Sequence, residues 1–195
     1  MQTSLLFEVG AGPVYYNYWF AIVPPYRVKA VIDQLKIKIN NLTENAVTDG
    51  KAYLTVVHQN QVMPAVMEEK IRYYQSKMKT FPVFEIRLQN FGFIRKKNVY
   101  TIFVKVQADD NWGNNLKRLR KNIDKNSIRQ AFIPIAEITG KTDFQQVWPH
   151  LEHLGYDASF MAEKLTVMEK SAHKPQDQYK PKLHLLLKKC SCQAD

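Results

Sequence analysis

An α+β fold built from two similar lobes is the architecture this sequence predicts, and three observations carry the prediction. Strand-like and helix-like stretches alternate twice along 195 residues, the pattern of layered sheets with helices on them. Two short stretches, Lys51 to Val57 and Ala131 to Thr139, echo each other. Each sets polar residues two apart in an apolar run, so on a strand both face the same way. A hydrophobic content of 45% is enough to bury a core, as one domain or as two tightly joined lobes. No residue-level repeat is visible, so the duplication rests on element order and on the two echoing strands.

Taken in order, residues 1 to 14 form a lead-in ended by Gly10-Ala-Gly-Pro13, whose Gly and Pro favour a turn. Tyr15 to Val23 is aromatic and β-branched, hence a strand, and Pro24-Pro25 stops it. Val28, Val31, Ile32, Leu35 and Ile39 then recur at helical spacing, with Arg27, Lys29, Lys36 and Lys38 mostly elsewhere. Thr48 to Lys51 reads as a turn into the Tyr53 strand. A second helix follows, with Pro64 in its first turn and Met67, Ile71, Tyr74 and Met78 as the buried stripe.

Phe84, Ile86 and Leu88 alternate with Glu85 and Arg87, giving a half-buried strand. It pairs as a hairpin with Val99 to Val106 across a polar turn, Arg95 to Asn98. Asp109-Asp110 is placed to cap the next helix, whose apolar stripe is Trp112, Leu116, Leu119 and Ile123. After the Phe132 to Ile138 strand, Thr142 or Asp143 opens a helix buried through Phe144, Val147, Trp148 and Leu151, which Pro149 bends or shortens. Ala158 to Met168 and Lys182 to Lys188 read as two strands around a polar insert, Ser171 to Tyr179.

No apolar run reaches the ~20 residues needed to span a bilayer, and Met1 to Glu8 has neither a basic n-region nor a full h-region. The cytoplasm is the expected compartment, and a monomer with no membrane partner the expected state. Cys190 and Cys192 are too close for an ordinary structural disulfide and lack a second pair for zinc. Residues 189 to 195 read as a solvated, flexible tail of a single domain covering 1 to 195. The formal net charge of +10 favours polyanionic partners at long range. Lys117, Arg118, Arg120 and Lys121 cluster on one helix and are the candidate phosphate contacts. No glycine-rich phosphate loop, Cys-x-x-Cys pair or nucleophile elbow is present.

The two echoing strands resemble the motif strands of the 2H phosphoesterase family, which includes 2'-5' RNA ligases and cyclic phosphodiesterases. There each strand carries His-x-Thr/Ser, the second within Phe-x-Pro-His-x-Thr. The similarity extends to Phe20-Ala-Ile-Val-Pro-Pro25, Phe91-Gly-Phe93 and Phe144 to Pro149, and so covers nearly the whole chain. It implies a two-lobed α+β fold with a central cleft; no cofactor is expected, and ligand counting leaves no metal site expected. It also implies that two histidines act as general acid and base on a phosphodiester while the hydroxyls hold the phosphate. Here those positions are Tyr53 and Thr55 on the first strand and Ile135 and Glu137 on the second. Imidazole exchanges protons near neutral pH without tuning. A phenol titrates near pH ~10, Ile135 transfers no proton, and an ionised Glu137 repels phosphate.

The sequence therefore predicts a protein of this fold that is inactive on the family's substrates and binds RNA or a nucleotide in its cleft, with Tyr53, Thr55 and Glu137 as candidate ligand contacts. One alternative keeps an enzyme that uses Glu137, Tyr53 and Thr55 on another substrate. A second is a protein-interaction module whose cleft has closed by packing. The remaining histidines are expected to be ordinary. His58, three residues past Thr55, faces away from it on an extended strand. His150 and His153 share a helix face without a third ligand, His173 belongs to a loop, and His184 falls on the alternate face of its strand.

Overall fold

The computed structural model describes residues 14–48, 50–107, 112–124, 131–174 and 176–188. Strand β1, Tyr16–Ile22, begins the described fold where aromatic and β-branched side chains suit a pleated surface. Helix α1, Tyr26–Leu42, buries Val28, Ile32, Leu35 and Ile39 along one stripe. Two residues, Ala46–Val47, make the short β2, and β3 runs over Leu54–Val62. Helix α2, Pro64–Met78, buries the expected Met67, Ile71, Tyr74 and Met78. Strands β4, Phe84–Lys96, and β5, Val99–Val106, form the hairpin. After α3, Trp112–Ile123, come β6, Phe132–Thr139, then α4, Lys141–Val147, and α5, Pro149–Glu152. Strands β7, Asp157–Ala162, β8, Lys164–Ser171, and β9, Lys180–Leu186, complete it.

The strands sort into two antiparallel sheets, one in the order β3-β1-β8-β9 and the other β2-β6-β5-β4-β7. Helix α1 leaves β1 in the first sheet and packs against β6 in the second, while α3 leaves β5 in the second and packs against β3 in the first. This exchange of helices draws one buried cluster across both sheets, from Phe20, Leu54 and Ile32 to Ile102, Ile133 and Leu119. It also brings β3 and β6, which belong to different sheets, within contact of each other.

Several elements depart from the sequence expectation, each for a local reason. The stretch read as one strand from Ala158 to Met168 is two. β7 pairs with β4 and β8 with β1, and only Glu163 separates them. Pro149 divides the expected single helix into α4 and α5, because its ring cannot continue the hydrogen-bond ladder. Gly140, at φ +101, precedes α4 in place of a side-chain cap. Asp143 instead accepts hydrogen bonds from Thr43 Oγ1 at 2.8 Å and Asn45 Nδ2 at 3.1 Å, tying α4 to the end of α1. β4 continues through Arg95 and Lys96, so the hairpin turn is only Lys97-Asn98. The expected Asp109-Asp110 cap and the 189–195 tail lie outside the described residues.

Candidate functional site

Alternation along β1 sends Tyr18, Phe20 and Ile22 into the main core and Trp19 and Ala21 to the other face. Trp19 and Ala21 cluster there with Met168, and Tyr53 and Tyr179 pack against them. Trp19 is 8% exposed, and its indole Nε1 donates to Thr55 Oγ1 at 3.1 Å. Its ring lies 5.6 Å from Tyr53, 5.5 Å from His58 in a stacked arrangement and 5.5 Å edge-on from Tyr179. Thr55 and Tyr53 thus face the same side, as their spacing requires.

His58 corrects the sequence expectation. In the β1–β3 pairing, Phe20 sits opposite Val57 and Ala21 opposite Thr55, so β3 carries one extra residue between them. Such a bulge shifts the side-chain alternation by one position. His58, paired with Trp19, therefore emerges on the Thr55 side. His184 also reaches this face, with Nδ1 3.1 Å from Thr166 Oγ1, and Thr166 pairs with Ala21. The two imidazoles sit on β3 and β9, at opposite edges of the sheet with β1 and β8 between them.

Two lysines border the aromatic group. Lys51 Nζ donates to the Tyr179 carbonyl at 2.7 Å and lies 5.9 Å from the Tyr53 ring. Lys170 Nζ sits 5.1 Å from the Tyr179 ring. Burial raises the Tyr179 phenol above its ordinary value, so it stays a neutral hydroxyl through neutral pH.

The second motif strand is built differently. The β5–β6 register shifts between Ile102 and Phe103, which leaves Ile135 as the extra residue. Ile135 is 2% exposed and belongs to the main core. Glu137 is exposed, paired with Thr101 on one side and Val47 on the other. It joins no ion pair among the described residues. Phe103 and Phe132 stack at 4.5 Å on the Thr101 side of the sheet. Gly92 makes room for them, since a Cβ there would come within 2.9 Å of the Phe103 ring. This close approach gives the Phe91-Gly-Phe93 motif its physical reason.

The four candidate phosphate contacts on α3 separate into two groups. Arg120 is 6% exposed and its Nη2 donates to the Thr55 carbonyl at 2.8 Å. Burial lowers its pKa from the ordinary arginine value. It holds the motif strand from behind. Lys117, Arg118 and Lys121 are exposed. Lys121 lines a hollow with Tyr73 and Tyr74 of α2, and Tyr74 meets Phe20 on the core face of the first sheet. That hollow lies on the opposite side of the sheet from Trp19 and Thr55. The sequence missed Trp19 and Tyr179 as members of the site; the register that joins them to Tyr53 has no short-range signal.

Known proteins resemble this chain in fold. No protein-family profile matches the chain, and neither does any curated protein sequence. Among solved structures, TT0787 of Thermus thermophilus superposes with a TM-score of 0.68 at 13% identity, over 89% of this chain and 99% of that one. LigT of E. coli complexed with 3'-AMP gives 0.66 at 14%, over 90% and 99%. Usb1 of Kluyveromyces marxianus with uridine monophosphate gives 0.52 at 10%, over 89% and 98%. These are 2H phosphoesterase structures, and the chain has their α+β fold. No helix among the described residues is long and apolar enough to cross a membrane.

Proposed function

We propose that this protein is a catalytically silent relative of the 2'-5' RNA ligase-like phosphoesterases that holds a nucleotide or an RNA end against the Tyr53 and Tyr179 rings, which pack on Trp19, without cleaving it. One observation carries the proposal: the two positions from which imidazoles would exchange protons hold a phenol, Tyr53, and a core-packed aliphatic, Ile135. Glu137 stands where a phosphate-holding hydroxyl is expected, and the remaining hydroxyl, Thr55, is already engaged by the Trp19 indole. Aromatic faces flanked by ammonium groups suit base stacking beside a phosphate. Similarly folded proteins have been solved with 3'-AMP, ATP and uridine monophosphate, which points to the same ligand class.

The test pairs two assays on the full chain. Nucleoside 2',3'-cyclic phosphates and 2'-5' dinucleotides should remain intact, while 3'-AMP and uridine monophosphate should bind at low salt and quench tryptophan fluorescence. Absence of binding at low salt would remove the ligand half of the proposal.

A second reading keeps an enzyme, favoured by the bulge that brings His58 to the Thr55 side. It expects turnover by Thr55, Tyr53 and Glu137 with His58 as the proton carrier. Any activity should then disappear in both His58→Ala and Glu137→Gln.

A further inference from the structure

We infer that the outer groove between α2 and α3 is a binding track for a single-stranded nucleic acid, separate from the cleft. Two hollows of about 580 and 550 Å³ lie side by side there and share Lys121. The first is lined from α2 by Lys70, Tyr73 and Lys77, and the second from α3 by Lys117 and Arg118. Among the described residues, five cations therefore line these two adjoining hollows against one lining carboxylate, Glu69. That is a local excess far above the protein's average balance, and it matches a chain of phosphates.

The groove also offers a stacking surface. Tyr73 is 55% exposed, so much of its ring faces solvent and is open to a base. Lys77 Nζ lies 5.5 Å from the ring centroid, a cation beside a π-face as in single-strand binders. The framework beneath is fixed. Tyr74 OH donates to the Ile123 carbonyl at 3.0 Å, and Lys70 Nζ donates to Gln59 Oε1 at 3.1 Å. An acidic peptide would match the charge but would leave Tyr73 idle, and a duplex hides its base faces. A single strand uses both features.

This inference does not depend on the cleft holding a ligand, because α2 covers the face of the first sheet opposite Trp19. The test is fluorescence anisotropy of the full chain with labelled oligouridylate and oligodeoxythymidylate of about twelve nucleotides, within the range of known single-strand sites. Binding should weaken with salt, and Lys117→Ala/Lys121→Ala should flatten the logarithmic salt slope by about 1.4, at ~0.7 for each phosphate no longer neutralised. Tyr73→Ala should lower affinity about tenfold, with Tyr73→Phe restoring it. Lys29→Ala/Lys38→Ala on α1 removes the same charge elsewhere and should change affinity by less than about twofold. Equal losses in the two lysine pairs, no effect of Tyr73→Ala, or equal affinity for duplex would each overturn the track. A Tyr53→Ala chain that loses mononucleotide but keeps the oligonucleotide separates this groove from the cleft. If oligonucleotide binds and mononucleotide never does, the cleft proposal fails and the groove stands.

Discussion

Strand β3 ends one sheet and β6 lies next to the end of the other, inside only the two-residue β2, and each has a register shift against its neighbour, yet the shifts have opposite consequences. In β3 the extra residue lies beyond Thr55 and carries His58 to the side where Trp19, Tyr53 and Thr55 gather. In β6 the extra residue is Ile135 itself, which is buried in the common core. The motif position lies at a part-exposed surface on β3 and in the core on β6. On the proposed reading, one imidazole position is taken by Tyr53 among rings suited to hold a ligand, and the other by Ile135, a side chain that contributes stability.

The two walls should differ most in what they contribute to stability. Ile135→Ala should cost about 2–4 kcal/mol in chemical denaturation, as for a buried aliphatic side chain, whereas Tyr53→Ala on the half-buried wall should cost about 1 kcal/mol or less. Similar losses at both would mean that the walls are not differently built. Arg120→Met sharpens the same point from behind. It removes the hydrogen bond to the Thr55 carbonyl but also the desolvation of a buried guanidinium, so stability should move by less than about 2 kcal/mol in either direction. Nucleotide affinity should fall with it as β3 loosens.

Trp19→Phe is expected to cost about 1 kcal/mol, since an aromatic ring stays and the bond to Thr55 goes. Urea midpoints at intermediate pH would measure it. Alkaline titration gives a related check. Burial raises the phenols of Tyr74, Tyr156 and Tyr179 and pushes Tyr18 up to about 12. The folded state therefore binds these protons more tightly than the unfolded chain, and their contribution is complete below about pH 10 and lost as pH rises toward 12. The unfolding midpoint should fall across that window. The smallest effect is expected at Glu137→Thr, an exposed change within about 0.5 kcal/mol of neutral that should tighten phosphate-bearing ligands by removing a like charge.

Much of this contrast could be read from residue order. The stripes of α1 and α2 and the alternation of β4 are set by neighbours three, four or two residues away, and the structure keeps them. What was hidden depends on pairing across the sheet. His58 lies at odd spacing from Thr55, and only the register against Phe20 and Ala21 reveals the bulge. The division at Glu163 is hidden for the same reason. Ala158 to Met168 reads as one uninterrupted strand, yet its two halves satisfy partners in different sheets. Arg120 shares the composition of Lys117 and Lys121, and only helix rotation against β3 buries it.

The most direct measurement is turnover of a nucleoside 2',3'-cyclic phosphate by purified protein, followed by chromatography alongside His58→Ala. An unchanged substrate peak is expected with both proteins at every pH between about 5 and 9, the span in which imidazole changes its protonation. Hydrolysis that depends on His58 would contradict it, by showing that the displaced imidazole had taken over the lost chemistry.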